Sequence, residues 1–426
     1  MVSLYPQKGE LYSRGTSGAA SYTKNVVTNL NKSTVVLADY KKNPTVYEED
    51  GILVKRCFKK ASPIMWLQVL KEIAKFDKIN KVVVQFDFGM YGSLLTAATI
   101  IPFLFLNKLM GKKTFVTSHH VITDVFKIRG HVGLGDGKRA NLKGNLYNFL
   151  FRSFYRLLSL GSKKIIVLEE PLKQMLSQII PENKIEVVSH GVDTNLQPIN
   201  KKLARKKLNL NQDNFIIMFF GYVNWFKGSD FFAETFKNTE KILNKKVSTI
   251  IAGGESPTMK NKGFYQKYFI KVTKTVADSP VVNMTGYVAQ KDLVNYFSAA
   301  DLVVFPYRHF MTASGVMSLT LSYGKPFIFS NGLGEMFESS DFKKAMSEIG
   351  LRKTDISFRL SKRSCLRCAE NVLLNGLKAK MSQLARIERE KRNYQNTAYL
   401  YKQIVDAETP AFIFGKRWLF HYNKGK

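Results

Sequence analysis

A glycine, a lysine and a second glycine follow an apolar run at short, fixed distances. Phe215-Ile216-Ile217-Met218-Phe219-Phe220 leads into Gly221-Tyr222-Val223-Asn224-Trp225-Phe226-Lys227-Gly228. A buried strand would deliver Gly221 to a turn and Lys227 to the start of the next helix. Glycine lets the backbone approach an anion, the helix start offers free N–H groups, and lysine adds a full positive charge, so the turn suits a diphosphate. A plain strand-to-helix turn uses the same residue types, and the other segments of the chain have to separate the two readings. Cys365-Leu366-Arg367-Cys368 has the spacing of half a metal site. No second pair or nearby histidine completes four ligands, which favours two thiols one helical turn apart.

The chain that carries these residues has 426 of them, with 45% apolar and 23% charged. That balance is globular rather than disordered, and the length predicts two domains of ordinary size. Lys+Arg 65 against Asp+Glu 33 leaves a formal charge of +32, which attracts nucleic acid, anionic lipid or phosphorylated substrates. The basic residues are spread along the chain rather than gathered into one arm or nucleic-acid motif, which argues against a specific nucleic-acid partner. Three cysteines predict a reducing compartment. Val2-Ser3-Leu4-Tyr5 runs into Pro6 without a basic-then-apolar signal segment, so the expected location is cytoplasmic.

Strand-like apolar runs alternate with amphipathic segments throughout, the pattern of parallel α/β sheets. Strands are predicted over 34–39, 82–86, 114–118, 164–168 and 184–188, and again over 215–220, 248–252, 281–285, 302–305 and 326–330. Helices are predicted over 22–30, 64–75, 92–109, 145–160, 171–180, 228–244, 291–299 and 314–323. The result is two similar sheets, divided by a linker over 193–211 where Pro198 and a basic run over 201–207 break the pattern. Ligands of open parallel sheets collect at the carboxyl ends of the strands, so facing sheets would share one cleft. The run 93–110 has the apolarity of a membrane span, but Thr96, Thr99, Pro102 and Asn107 interrupt it, and a sheet-covering helix is expected. Segment 145–160 sets Leu146, Phe149, Leu150, Phe154, Leu157 and Leu158 around Arg152 and Arg156, which fits core packing and a lipid interface equally.

Several short pieces occur in one order. They are Arg14-Gly15-Thr16-Ser17-Gly18 with Ala20-Ser21-Tyr22-Thr23-Lys24-Asn25 behind it, Thr117-Ser118-His119-His120, Ser189-His190-Gly191-Val192-Asp193, and the Gly221–Gly228 turn. Ala252-Gly253-Gly254, Thr285-Gly286-Tyr287, Ala300-Asp301-Leu302-Val303-Val304-Phe305-Pro306 and Ser322-Tyr323-Gly324-Lys325-Pro326 continue the series. In this order the chain resembles the family 4 glycosyltransferases. The resemblance covers most of the chain and implies the GT-B architecture, with an acceptor domain over 1–195 and a donor domain over 196–395, both Rossmann-like. A C-terminal helix and basic aromatic tail over 396–426 would follow, packing back on the first domain or meeting a membrane.

The resemblance further implies transfer of a hexose or related sugar from a nucleotide-diphosphate donor to an acceptor hydroxyl, with retention, in glycan, polysaccharide or glycolipid synthesis. It implies no metal or other cofactor, and the partners would be the nucleotide-sugar and a glycan or lipid-linked acceptor. The basic excess and the basic aromatic segments 149–158 and 414–422 fit an anionic inner membrane surface as well as packing within the fold. Lys227 and Gly221 match the phosphate-binding turn. The arginine usual just after its first glycine is Tyr222 here, and Arg308 is the substitute that the sequence offers. His120 matches the histidine that faces the transferred sugar, Gly15 and Gly18 match a phosphate or acceptor loop, and the backbone around Tyr287 would carry the donor base. The family's two glutamates fall at Met311 and Leu319, so no acid carries over. Thr312, Ser314 and Gly315 open a helix whose hydroxyls and N–H groups could bind the donor instead. A relative that kept the fold and binds polyanions without catalysis is the rival reading.

Overall fold

The computed structural model describes residues 1–12, 17–30, 34–374 and 376–407. Among them two sheets form. The first contains β1 (Val2–Ser3), β2 (Val35–Tyr40), β3 (Thr45–Glu49), β4 (Ile52–Lys59), β5 (Lys81–Phe86), β6 (Lys113–Ser118), β7 (Lys164–Val167) and β8 (Ile185–Val187), in the order β3-β4-β2-β1-β5-β6-β7-β8. The second contains β9 (Phe215–Phe220), β10 (Lys241–Ile242), β11 (Lys245–Ala252), β12 (Val282–Met284), β13 (Leu302–Phe305), β14 (Phe327–Ser330) and β15 (Ser357–Phe358). Its path is β10-β11-β9-β13-β14-β15, with β12 on β11.

Apart from the antiparallel β3 and β10, every pairing is parallel. Counted along the parallel strands alone, both sheets run third, second, first, fourth, fifth, sixth, with a seventh added in the first sheet, the doubly wound order whose switch point opens a ligand crevice. The switch falls between β1 and β5 in the first sheet and between β9 and β13 in the second. Buried Phe, Val, Ile and Met fill β9 and β13 because parallel strands are covered on both faces.

The predicted strands are present, with ends moved by up to three residues. The sequence reading passed over β3 and β4, a hairpin whose Asp50 and Gly51 both take positive φ (54° and 73°), as an Asp-Gly turn permits. Helix 228–244 stops early, at Ser229–Phe236, because the chain turns there into the β10–β11 hairpin. The apolar run 93–110 divides into helices Leu94–Ala98 and Ile100–Leu109, and no helix among the described residues is long and apolar enough to cross a membrane. The linker is partly ordered too. Its basic run is the helix Lys201–Lys207, where Arg205 is buried against Asp301 at 2.6 Å. Cys365 and Cys368 are free, buried thiols on helix Lys362–Leu374.

After the second sheet the chain returns to the first. Helix Tyr394–Asp406 places the Tyr401 hydroxyl 2.8 Å from Thr117 Oγ1 and 3.2 Å from the Tyr22 hydroxyl. Where it crosses, buried Arg392 donates to Glu169 of the first domain at 2.6 Å and to Asp341 of the second at 2.7 Å, with Glu388 2.9 Å away. Such a cluster ties both domains to one side chain, and removal of that cation would leave carboxylates uncompensated. The aromatic run 414–422 lies outside the described residues, as does Gly15.

Candidate active site

Loops from the carboxyl ends of both sheets meet across the cleft. After β9, Gly221 has φ 111°, and a Cβ built on it would lie 3.0 Å from Lys227 Nζ and 3.3 Å from Val316 Cγ2. The Lys227 ammonium therefore rests over the bare α-carbon of Gly221, close to the first turn of helix Gly315–Ser322. Lys227 forms no ion pair among the described residues, and the Phe226 ring centroid is 6.0 Å away. Burial lowers its pKa from 10.5 to about 8. An anion delivered here would restore the charge that desolvation opposes.

Gly228 holds this loop against the next one. It takes φ 70° before helix Ser229–Phe236, and a Cβ there would meet the Pro306 carbonyl oxygen at 2.0 Å. Only glycine permits both the left-handed backbone and that approach. The loops after β9 and β13 are thus joined at the switch point.

Arg308 is placed differently from its expected role. Its guanidinium makes a two-pronged pair with Asp230, 2.8 Å on each side, donates to the Trp225 carbonyl at 2.5 Å and stacks 4.7 Å from the Trp225 ring. Arg308 therefore latches the loop that carries Lys227, with its charge balanced by Asp230. Sequence reasoning missed Asp230, which lies in the first turn of the helix after Gly228 with nothing local to single it out.

The helix opened by Ser314 presents its start to the same place. Ser314 Oγ accepts from Met317 N–H at 3.2 Å and lies 3.1 Å from the Tyr307 hydroxyl, so its hydroxyl is the helix cap. The N–H groups of Gly315 and Val316 have no acceptor among the described residues, and Gly315 is exposed. Thr312 Oγ1 donates to the Ala313 carbonyl at 3.0 Å. Met311 and Leu319, at the places of the family's glutamates, are buried among apolar side chains.

On the facing edge, His120 follows β6 and its Nδ1 lies 2.8 Å from Asp87 Oδ2 at the end of β5. Burial alone would raise the Asp87 pKa, but His120 and the Gly89 N–H together hold it down at about 2. Asp87 was missed in the sequence, although an acid directly after the run Val82–Phe86 stands at a strand's carboxyl end. Val121 N–H donates to the Met311 carbonyl at 2.8 Å, which sets the His120 loop against the β13 loop. Beside it, His131 Nδ1 lies 2.8 Å from Asn224 Oδ1. His119 is buried and His190 half-buried, and desolvation lowers their pKa values to about 3 and 4, so both are neutral at pH 7.

The remaining expected residues lie at the rim. Tyr287, after Gly286 with φ 72°, donates through its hydroxyl to the Tyr12 carbonyl at 3.4 Å. Gln290 Oε1 accepts from the N–H groups of Leu11 and Tyr12 at 2.9 and 2.8 Å. Gly18 begins helix Gly18–Thr28, with open space where a Cβ would stand. No group of three or more His, Cys, Asp or Glu among the described residues could hold a metal ion.

Two Rossmann-like domains facing across a cleft, with a cationic glycine turn at the second switch point, define the GT-B class. Residues 214–344 match the family model described as glycosyl transferases group 1. A D-inositol 3-phosphate glycosyltransferase of Streptosporangium roseum is 30% identical over 127 residues, a stretch that spans 29% of this chain and 28% of that relative. Among solved structures, a sucrose-phosphate synthase from Thermosynechococcus elongatus superposes with TM-score 0.64 at 14% identity, covering 95% of this chain and 97% of that one. The Anabaena protein HepE, solved in complex with UDP-glucose, gives TM-score 0.62 at 12% identity over 95% and 99%. The fold is therefore GT-B, and within the second domain residues 214–344 are similar to the group 1 glycosyl transferases.

Proposed function

We propose that the protein is a retaining glycosyltransferase that moves a sugar from a nucleotide-diphosphate donor to an acceptor hydroxyl. The observation that carries this reading is the convergence of Lys227, bare Gly221 and the open N–H groups of Gly315 and Val316 at the second sheet's switch point. Lys227 and the helix start would hold the diphosphate, and the backbone around Tyr287 would hold the base. HepE, a neighbour in fold, holds UDP-glucose in its solved complex, which supports a nucleotide-sugar here.

His120, fixed by Asp87 on the opposite edge, would position the sugar. The bond from the anomeric carbon to the diphosphate oxygen breaks while the acceptor oxygen bonds to that carbon on the same face. The acceptor proton passes to the departing phosphate, so the enzyme needs no general base of its own. Negative charge grows on the diphosphate, where Lys227 and the helix N–H groups already point. The acceptor would be a glycan or lipid-linked hydroxyl, and the protein would act in the cytoplasm or at the inner membrane surface.

A thermal-shift screen with UDP, GDP and ADP and their sugars tests the reading. Stabilisation by one nucleotide is expected, and it identifies the donor. No shift with any of them, combined with stabilisation by a generic polyanion, would support a non-catalytic binding protein instead.

A further inference from the structure

Helix Lys138–Gly161 is apolar on two opposite faces. Its inner face carries Tyr155 and Leu158, fully buried, with Phe151 and Phe154 packed partly behind them. The outer face carries Leu142, Leu146, Phe149, Leu150, Leu157 and Leu160, all exposed; Leu142 is 74% exposed, Phe149 64% and Leu160 61%. At 3.6 residues per turn those six fall within an arc of about 100°. One stripe therefore faces outward, crossed by the small Ser153 between Leu150 and Leu157. It continues on to helix Ile100–Leu109, where Phe105 and Leu109 are exposed, because the two helices pack tightly at Gly161, where a Cβ would lie 2.8 Å from Leu104 Cβ. Single exposed leucines are ordinary on a soluble surface, whereas a contiguous stripe of this length marks an interaction face.

The charges around the stripe say what covers it. Lys138, Arg139, Lys143, Arg152 and Arg156 are exposed on the same helix, and the segment 138–161 contains no aspartate or glutamate. Most of these cations lie along the borders of the apolar arc, where long side chains can reach headgroup phosphates while the stripe enters the acyl boundary.

We propose that this face docks on an anionic phospholipid bilayer. The surface lies on the back of the candidate active site. The Tyr155 hydroxyl accepts from Ile122 N–H at 2.9 Å and donates to the His120 carbonyl at 3.3 Å, and Asn148 Oδ1 accepts from Val125 N–H at 2.7 Å. The helix that meets lipid is thus the one that braces the His120 loop, which brings the cleft within reach of an acceptor held in the membrane. The docking itself does not depend on the glycosyl-transfer reading, and its test needs no activity.

The experiment is flotation of the full chain with phosphatidylcholine vesicles, with and without phosphatidylglycerol, at low and high salt. Three proteins are compared: wild type, the variant Leu146→Glu/Phe149→Glu/Leu150→Glu, and the variant Arg139→Gln/Lys143→Gln/Arg152→Gln/Arg156→Gln. Wild type is expected to float only with phosphatidylglycerol and to be released by salt. The glutamate variant is expected to stay in solution with an unchanged melting temperature. The glutamine variant should bind about a hundredfold or more weaker, at about fivefold per lost charge. Because both variants leave residues 408–426 intact, loss of binding assigns the effect to the helix rather than to the tail. Three results would overturn the proposal: wild type that never floats, a glutamate variant that floats as well as wild type, or a wild-type dimer abolished by the glutamates without any vesicle binding, which would make a second copy the occupant.

Discussion

The two edges of the cleft have the same strand order and opposite electrostatic states. On the first edge, His120 Nδ1 already lies 2.8 Å from the Asp87 carboxylate before any ligand arrives. On the second edge, Lys227 has its pKa lowered to about 8 by burial, with no carboxylate among the described residues to balance it. Arg308, on the adjoining loop, is balanced by Asp230. An imidazole held beside a carboxylate is suited to orienting a neutral sugar, while an unbalanced cation beside open N–H groups is suited to receiving negative charge. The strand order is shared by both edges, so the difference resides in a few loop residues.

The largest way to break the contrast is to separate the two loops of the second edge. Gly228→Val would place methyl groups against the Pro306 carbonyl at a positive φ, at a cost of about 3 kcal/mol. Chemical denaturation should show that loss, together with loss of nucleotide binding. An unchanged midpoint would mean that the loops can part without consequence.

Lys227→Ala acts on the charge alone. A charge-assisted hydrogen bond contributes about 1.5–3 kcal/mol, so nucleotide-diphosphate affinity should fall roughly tenfold to 150-fold by calorimetry. Folding should be unharmed, since the substitution relieves a desolvated ammonium. Equal affinity in the mutant would remove Lys227 from the site.

On the first edge the effect should appear in turnover instead. His120→Ala is expected to lower kcat roughly tenfold, the equivalent of one good hydrogen bond to the sugar, with nucleotide affinity unchanged. If kcat holds and the melting temperature drops, the Asp87–His120 pair is structural only.

The smallest predicted effect is a pH dependence that only the second edge should show. Below pH 8 free Lys227 is charged. Above it the free protein loses a proton that the diphosphate complex retains, so affinity is full below about pH 8 and falls as pH rises. Between pH 7 and 8.5 the loss should be about fourfold. The Lys227→Ala variant should be flat over that range, and a wild type that is equally flat would contradict the assignment.

Much of this was legible in the sequence because buried parallel strands read as nearly unbroken apolar runs, bounded by glycine and by amphipathic helices. Phe215–Phe220 declared a strand, and the glycine and lysine that follow marked the turn in which Lys227 Nζ comes to lie against Gly221. The polar hairpin β3–β4 left a weaker trace, since its edge strand alternates threonine, valine, tyrosine and glutamate, and only the Asp50-Gly51 turn announced it.

What the sequence determined by itself were the two doubly wound sheets and the residue types at the ends of their strands, because periodicity and local turn chemistry are properties of neighbouring residues. Pairing was decided by tertiary structure. Asp230 lies 78 positions from Arg308, and Asp87 comes from a different strand than His120, so which charges are cancelled and which are left open depends on distances that folding alone creates. The same holds for helix Lys138–Gly161, whose residues are apolar enough for a core or a membrane. Packing of one face against the sheet left the other face outside, and that geometry separates a structural helix from one that can also meet lipid.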